Sequence, residues 1–199
     1  MASPDSADLK ALFQYAKESG ATGAAVISTA DIVVEMTLAA MCREPRCPNY
    51  GLSMSCPPHV SGPSGFRKLL EKFTRAFVFK IDVPSEILLS NERREIFQLL
   101  HEIAAGVEQL AVRMGFENAR AYSGGSCKEI FCGDFAECAV LSGEGNCRNP
   151  QSARPSMSGF GINVSRLMET AGWTMSIAAC DDGSNRSKMG NVCGLVLIF

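Results

Sequence analysis

Seven of the chain's nine cysteines fall into two tight groups. Cys42, Cys47 and Cys56 read C-x4-C-x8-C and close in Cys56-Pro57-Pro58. Cys127, Cys132, Cys138 and Cys147 read C-x4-C-x5-C-x8-C and close in Cys147-Arg148-Asn149-Pro150. Both groups sit among Pro and Gly rather than on a periodic element. A thiolate is a soft ligand that suits zinc or iron–sulfur clusters, and several must converge from irregular backbone to surround one centre. Neither spacing contains the short C-x2-C pair of a zinc knuckle. The second group can complete a four-thiolate shell alone, which suits a 4Fe–4S cluster, and the alternative is a structural zinc with four cysteine ligands. The first group has only three local cysteines. Cys180, Cys193 or His59 can supply its fourth ligand, or the position stays open for substrate, which is what separates open catalytic metal sites from closed structural ones.

Each of those three has a plainer reading. A histidine three residues after a cysteine in a Pro-rich loop is often just exposed, and Cys180 and Cys193 each adjoin an apolar strand, where a free cysteine is commonly a small buried side chain. Gly124, Gly125, Gly133, Gly143 and Gly145 let the second loop fold closely around a centre, and amides in such a loop can hydrogen-bond sulfur. Arg43, Arg46, Arg148 and Arg154 favour an anionic centre or partner near the loops. His101-Glu102 lacks the second histidine of H-E-x-x-H, Glu95, Glu102 and Glu108 read as a solvated helix face, and no P-loop, dinucleotide fingerprint or nucleophile elbow occurs.

Composition narrows the setting. At 199 residues the chain suits one domain over 1–199 that buries roughly two-thirds of its unfolded surface, so disulfides are not needed for folding. The first ten residues lack a basic stretch followed by an apolar run, and no segment approaches about 18 consecutive apolar residues, so neither export nor membrane insertion is expected. A cytoplasmic location follows. Thiols stay reduced there, and an odd cysteine count agrees with ligands rather than disulfides. A net charge of −2 lacks the footprint of a nucleic-acid binder.

The elements that must position the loops are legible in part. Ser3-Pro4 caps an amphipathic opening helix that runs through Leu9, Leu12, Phe13 and Ala16 to Gly20. Ala21 to Ser28 reads as a strand, Ile32 to Met41 is ambiguous between strand and helix, and Gly65 to Phe73 reads as a short helix. Ala76 to Val83, aromatic and β-branched, is the clearest strand and is expected to be central. A long helix follows from Ser90, with Ile96, Leu99, Leu100, Ile103, Val107 and Leu110 in its stripe, and stops at Gly115. Ala119 to Tyr122 reads as a short strand that delivers the chain into the second loop. Asn163 then caps a helix through Leu167, Met168 and Ala171, and strands at Thr174 to Ala178 and Gly194 to Phe199 flank a polar stretch, Asp181 to Asn191. Interleaved strands and helices predict a single layered α/β or α+β domain, with a mixed β-sheet flanked by helices and two cysteine-rich loops. The partial echo between the loops, C-x4-C and C-x8-C in each, has no flanking similarity and fits chance.

These residues carry a resemblance that covers nearly the whole chain. Asp31-Ile32-Val33-Val34, Cys42-Arg-Glu-Pro-Arg-Cys47-Pro-Asn-Tyr50-Gly51, Cys56-Pro57-Pro58, Gly124-Gly125-Ser126-Cys127, the Cys147 to Pro150 segment, Ala153 to Met157 and Gly161 to Val164 together resemble a family of predicted metal-binding proteins of unknown function, found largely in anaerobic bacteria and archaea. The second loop departs from that family's tighter opening C-x2-C. The resemblance implies metal binding, with iron–sulfur the form it suggests, and implies no particular fold or reaction.

The leading expectation is a metal-binding iron–sulfur protein, with one 4Fe–4S cluster on Cys127, Cys132, Cys138 and Cys147, and a second metal or cluster site on Cys42, Cys47 and Cys56, acting in electron transfer with a redox partner protein. One alternative is an enzyme that uses an open iron on a small-molecule substrate for Lewis-acid or sulfur-transfer chemistry. The other is a zinc-stabilised interaction module.

Overall fold

The computed structural model of the chain describes residues 6–175 and 189–199. In chain order the elements are α1 (Ser6–Glu18), β1 (Gly23–Ser28), α2 (Met36–Ala40), α3 (Gly62–Leu70), β2 (Arg75–Pro84), α4 (Ser85–Leu89), α5 (Arg93–Arg113), β3 (Arg120–Tyr122), α6 (Cys127–Phe131), α7 (Ala139–Ser142), α8 (Val164–Thr170) and β4 (Met189–Leu197). The Ser3-Pro4 cap, Cys180 and most of both the Thr174 to Ala178 strand and the Asp181 to Asn191 stretch lie outside the described residues.

Four strands make one sheet in the order β1-β2-β4-β3, and each neighbouring pair is antiparallel. Among the described residues parallel pairing is limited to the isolated bridge between Ser123 and Ser156, so the layered architecture takes its α+β form. β2 is interior to the sheet, as its composition predicts, and both of its faces are covered. Phe77, Phe79, Ile81 and Val83 point to one side, onto Leu12 and Ala16 of α1 and Leu100, Ile103, Ala104 and Val107 of α5. Ala76 and Val78 point to the other, into a second cluster with Phe66, Tyr122, Phe160, Leu167 and Met168. A strand buried on both faces reads as a continuous apolar run, which is why AFVFKIDV stood out. Each buried Phe contributes about 1.5–3 kcal/mol by leaving water. Gly106 sits inside α5 at a cost of about 1 kcal/mol relative to Ala. A Cβ there would strike the Tyr15 ring, so the glycine lets α1 close on α5.

The segment that looked ambiguous between strand and helix is both in turn: Val34 makes an isolated antiparallel bridge to Ile162, and α2 begins two residues later. Glu35 N–H donates to Gly161 O at 2.7 Å, and Asn163 N–H donates to Val33 O at 2.9 Å. Gly161 has φ +69°, and a Cβ there would run into the Glu35 carbonyl, so this crossing needs glycine. Asn163 caps α8 as predicted, its side-chain oxygen accepting from Arg166 N–H at 3.0 Å, while its Nδ2 donates to Glu35 Oε1 at 2.7 Å. The entry to the first cysteine loop is thereby tied to the entry of α8.

Candidate metal centre

Cys127, Cys132, Cys138 and Cys147 all line one small cavity, closed by Ser53, Lys128, Phe131, Arg148 and Asn149. The chain leaves β3, turns through Gly125 at φ +74°, and enters α6 at Cys127, so Cys127 to Cys132 span one short helix. Lys128 is buried, and its Nζ donates to the carbonyls of Cys132 at 2.8 Å and Phe135 at 2.6 Å. That bond pair curls the loop back on α6 and leaves a cation in the cavity wall. Arg148 lies over the Phe135 ring at 4.1 Å and donates to Glu137 O at 2.9 Å. Asn149 donates to two sulfurs, from its backbone N–H to Cys147 Sγ and from Nδ2 to Cys132 Sγ, each at 3.4 Å.

Both ends of this loop are clipped to α5. His101 is fully buried, and its two ring nitrogens meet Gly124 O at 3.0 Å and Arg154 N at 3.0 Å. A carbonyl only accepts and a backbone N–H only donates, so the neutral ring carries its proton on Nε2 and accepts at Nδ1. Burial holds His101 down at about 4, and the nearby Arg154 charge works the same way, against the Gly124 carbonyl. Two turns further along α5, Glu108 pairs with the Arg154 guanidinium at 2.6 Å and accepts from Ala121 N–H at 2.7 Å. Arg154 also donates to the carbonyls of Pro150 and Ala153. Glu108 is thus a structural anchor rather than part of a solvated face, and Arg154 is consumed by it.

Cys42, Cys47 and Cys56 line a different and much larger cavity of about 710 Å³. Its wall is mostly apolar, with Leu38, Met41, Tyr50, Phe97, Ile130 and Ile162, and its polar groups include Asn49, Arg93, Arg94, Ser126 and Glu129. The first loop also carries two cis X–Pro bonds, at Glu44-Pro45 and Pro57-Pro58. The Gly51 N–H donates to Pro57 O at 2.8 Å and closes it.

The two loops touch. Cys56 Sγ donates to Ser126 Oγ at 3.4 Å, one residue before Cys127. Ser156 N–H donates to Ser55 O at 3.2 Å. Burial raises the Cys127 thiol, the Ser55 and Ser53 hydroxyls beside it act in the opposite direction, and the neighbouring Cys56 and Cys147 raise it further. Ser53 Oγ is buried without a geometrically complete hydrogen bond among the described residues, so its contact with Cys127 is a loose one. Burial also raises Cys42, with Cys47 and Cys56 adding to it. Cys138 goes the other way: its burial is outweighed by the N–H groups of Leu141, Met54 and Val140 and by Arg148, which hold it below the ordinary thiol value.

The structure therefore brings together the four cysteines of the second group and, separately, the three of the first. Among the described residues no three Cys, His, Asp or Glu side chains converge tightly enough for a single metal ion. His59 is exposed and lines neither cavity. Cys193 lies on β4, buried in the sheet core beside Val78 and Leu195, where desolvation pushes it up to about 12. Lys128, His101, Glu108 and Ser53 are the site residues that sequence reasoning missed. His101 fell on the same helical stripe as Leu100 and Ile103, and a histidine on an apolar stripe needs partners.

The residues at the second loop fit a thiolate-bound anionic group. Four soft donors share one cavity with a buried ammonium, a guanidinium, amide donors to sulfur and a loosely held hydroxyl. The space between the thiols is about 20 Å³, so the fit lies in the donor set, and the side chains would open to admit a cluster. Among the described residues no helix is long and apolar enough to cross a membrane. No curated protein and no solved structure matches the chain. Residues 25–198 match the family model described as predicted metal-binding protein (DUF2284), and the chain belongs to that metal-binding family.

Proposed function

We propose that the protein is an iron–sulfur protein of a reducing, cytoplasmic compartment, with a 4Fe–4S cluster on Cys127, Cys132, Cys138 and Cys147 and electron transfer to a redox partner protein as its basic function. The observation that carries this reading is that all four cysteines of one loop line a single cavity with Lys128 and Arg148. A cluster bound there would supply one-electron chemistry, its potential set by net charge, hydrogen bonds to sulfur and exposure. The protein's own contribution is electrostatic: Lys128 and Arg148 offset the negative charge of four thiolates, and Asn149 donates to two of their sulfurs. His101 and the Arg154–Glu108 pair fix the loop ends so that the four donors stay in register.

A second reading concerns the first triad. Cys42, Cys47 and Cys56 open onto a large cavity without a fourth cysteine or histidine in the described wall, which favours a centre with an exchangeable position, and hence an enzyme acting on a small molecule. Anaerobic purification followed by iron, acid-labile sulfide and zinc analysis tests the proposal. A brown protein whose absorbance bleaches on reduction is expected. A colourless, fully folded protein with stoichiometric zinc that cannot be reconstituted with iron would overturn it.

A further inference from the structure

The geometry points to the cavity in front of Cys42, Cys47 and Cys56 as the binding site of a small organic anion with an apolar body, its charge held by Arg94. This deepens the open-site reading of the first triad, on which it rests, by naming the class of ligand. The cavity's volume, about 710 Å³, falls within the range of pockets that enclose a small molecule. Its lining is dominated by apolar side chains, Phe97, Ile130, Leu38, Met41 and Ile162 among them, so the ligand's bulk is apolar.

The fixed charges decide the sign of its polar end. Among the described lining residues the charged side chains are Arg93, Arg94 and Glu129. Glu129 is already committed: Arg93 NH2 reaches its Oε1 at 3.1 Å, and Asn49 Nδ2 donates to its Oε2 at 2.7 Å. Arg94 is anchored by one bond only, from Nε to Ile130 O at 3.0 Å, and among the described residues no carboxylate pairs with it. Two guanidinium groups against one carboxylate leave one positive charge, that of the exposed Arg94, at the rim of an apolar cavity. The Nε bond fixes the plane of the Arg94 guanidinium while its terminal nitrogens stay free to donate, an arrangement suited to a carboxylate or sulfonate. An anion seated there has its apolar body over Phe97 and Ile130, in the same cavity as the three thiols.

The test uses the full-length, anaerobically purified chain and equilibrium dialysis of two probes that share a ring system, anilinonaphthalene sulfonate and uncharged phenylnaphthylamine. Both should bind saturably. Arg94→Gln should weaken the sulfonate by about tenfold or more, the scale of one lost charge-assisted hydrogen bond, and leave the uncharged probe unchanged. Arg94→Lys, which keeps the charge and loses the fork and the Nε bond, should restore part of the sulfonate affinity. An unchanged sulfonate affinity in Arg94→Gln, an equal loss for both probes, or no saturable binding of either would overturn the proposal. Iron and sulfide are measured on the same samples, so a failed metal reading shows as missing iron, whereas a failed ligand assignment shows as Arg94-independent binding.

Discussion

The loop from Gly124 to Arg154 is gripped at both ends by side chains of α5, through His101 and through the buried Arg154–Glu108 pair. The loop from Cys42 to Cys56 is held differently: it is entered through backbone bonds between residues 33–35 and 161–163, is backed by the second loop through Ser55 and Cys56, and among the described residues its side-chain tie towards α5 is the exposed one from Asn49 through Glu129 to Arg93. The Gly124 to Arg154 loop lines a small cavity with its four cysteines, and the Cys42 to Cys56 loop faces a wide one. A four-cysteine loop anchored at both ends suits a permanent centre, and a three-cysteine wall on a wide cavity suits exchange. Similar cysteine spacing is thus set in unlike surroundings, and the supporting side chains make the difference.

The largest effect that can break this comparison comes from ligand removal. Cys127→Ala or Cys147→Ala should abolish one centre and expose the second loop to proteolysis, because binding by four ligands from one loop is partly folding free energy. Cys42→Ala should lose only the first centre and leave the proteolytic pattern near native. Equal proteolytic sensitivity in both sets would erase the distinction.

Next comes the clamp. Arg154→Ala leaves the half-buried Glu108 without its cation, and should cost up to about 3–5 kcal/mol in denaturant unfolding. Glu108→Ala should behave alike, since it also strips the Ala121 N–H of its acceptor. A loss below about 1 kcal/mol for both would show that the ion pair does not anchor the loop.

His101 supplies a pH dependence. Its folded value near 4 lies below the ordinary 6.5, so between these values the unfolded chain binds the proton and the folded chain does not. Stability is therefore unaffected above about pH 6.5 and falls as pH drops towards 4, by up to about 3 kcal/mol. Denaturant midpoints of the native protein and His101→Gln, compared near neutrality and near pH 4.5, should show a shallower acid loss in the variant. Parallel curves would contradict the assignment of His101 as a buried neutral clip.

The smallest expected effect is at the entry of the first loop. Asn163→Ala removes the α8 cap and the bond to Glu35, and should cost about 1 kcal/mol, clearly less than Arg154→Ala. A larger cost at Asn163 than at Arg154 would invert the comparison.

Much of this was readable from the residues. AFVFKIDV declared an interior strand, the 3.6-residue stripe of α5 declared the long helix, and Asn163 declared its cap. The cysteine clusters pointed to metal because thiols in irregular Gly- and Pro-rich backbone have little else to do in a reducing compartment. What stayed hidden depends on contacts remote in sequence. Glu108 reads as a surface charge from sequence because its partner, Arg154, lies 46 residues away. Lys128 carries no local sign that its ammonium turns inward to two carbonyls of its own loop. Short helices such as α6 and α7, four or five residues long, fall below the length at which periodicity can be seen. The contact of Cys56 with Ser126 bridges 70 residues and is set by the tertiary fold alone.

On the proposed function the second loop holds an iron–sulfur cluster by itself. Iron and acid-labile sulfide should be measured on the anaerobically prepared double variant Cys42→Ala/Cys47→Ala, in which the first triad is destroyed and the second loop is intact. A brown, folded protein that retains iron and sulfide in equal amounts and bleaches on reduction is expected. A folded variant with neither iron nor sulfide, before and after reconstitution, would contradict it.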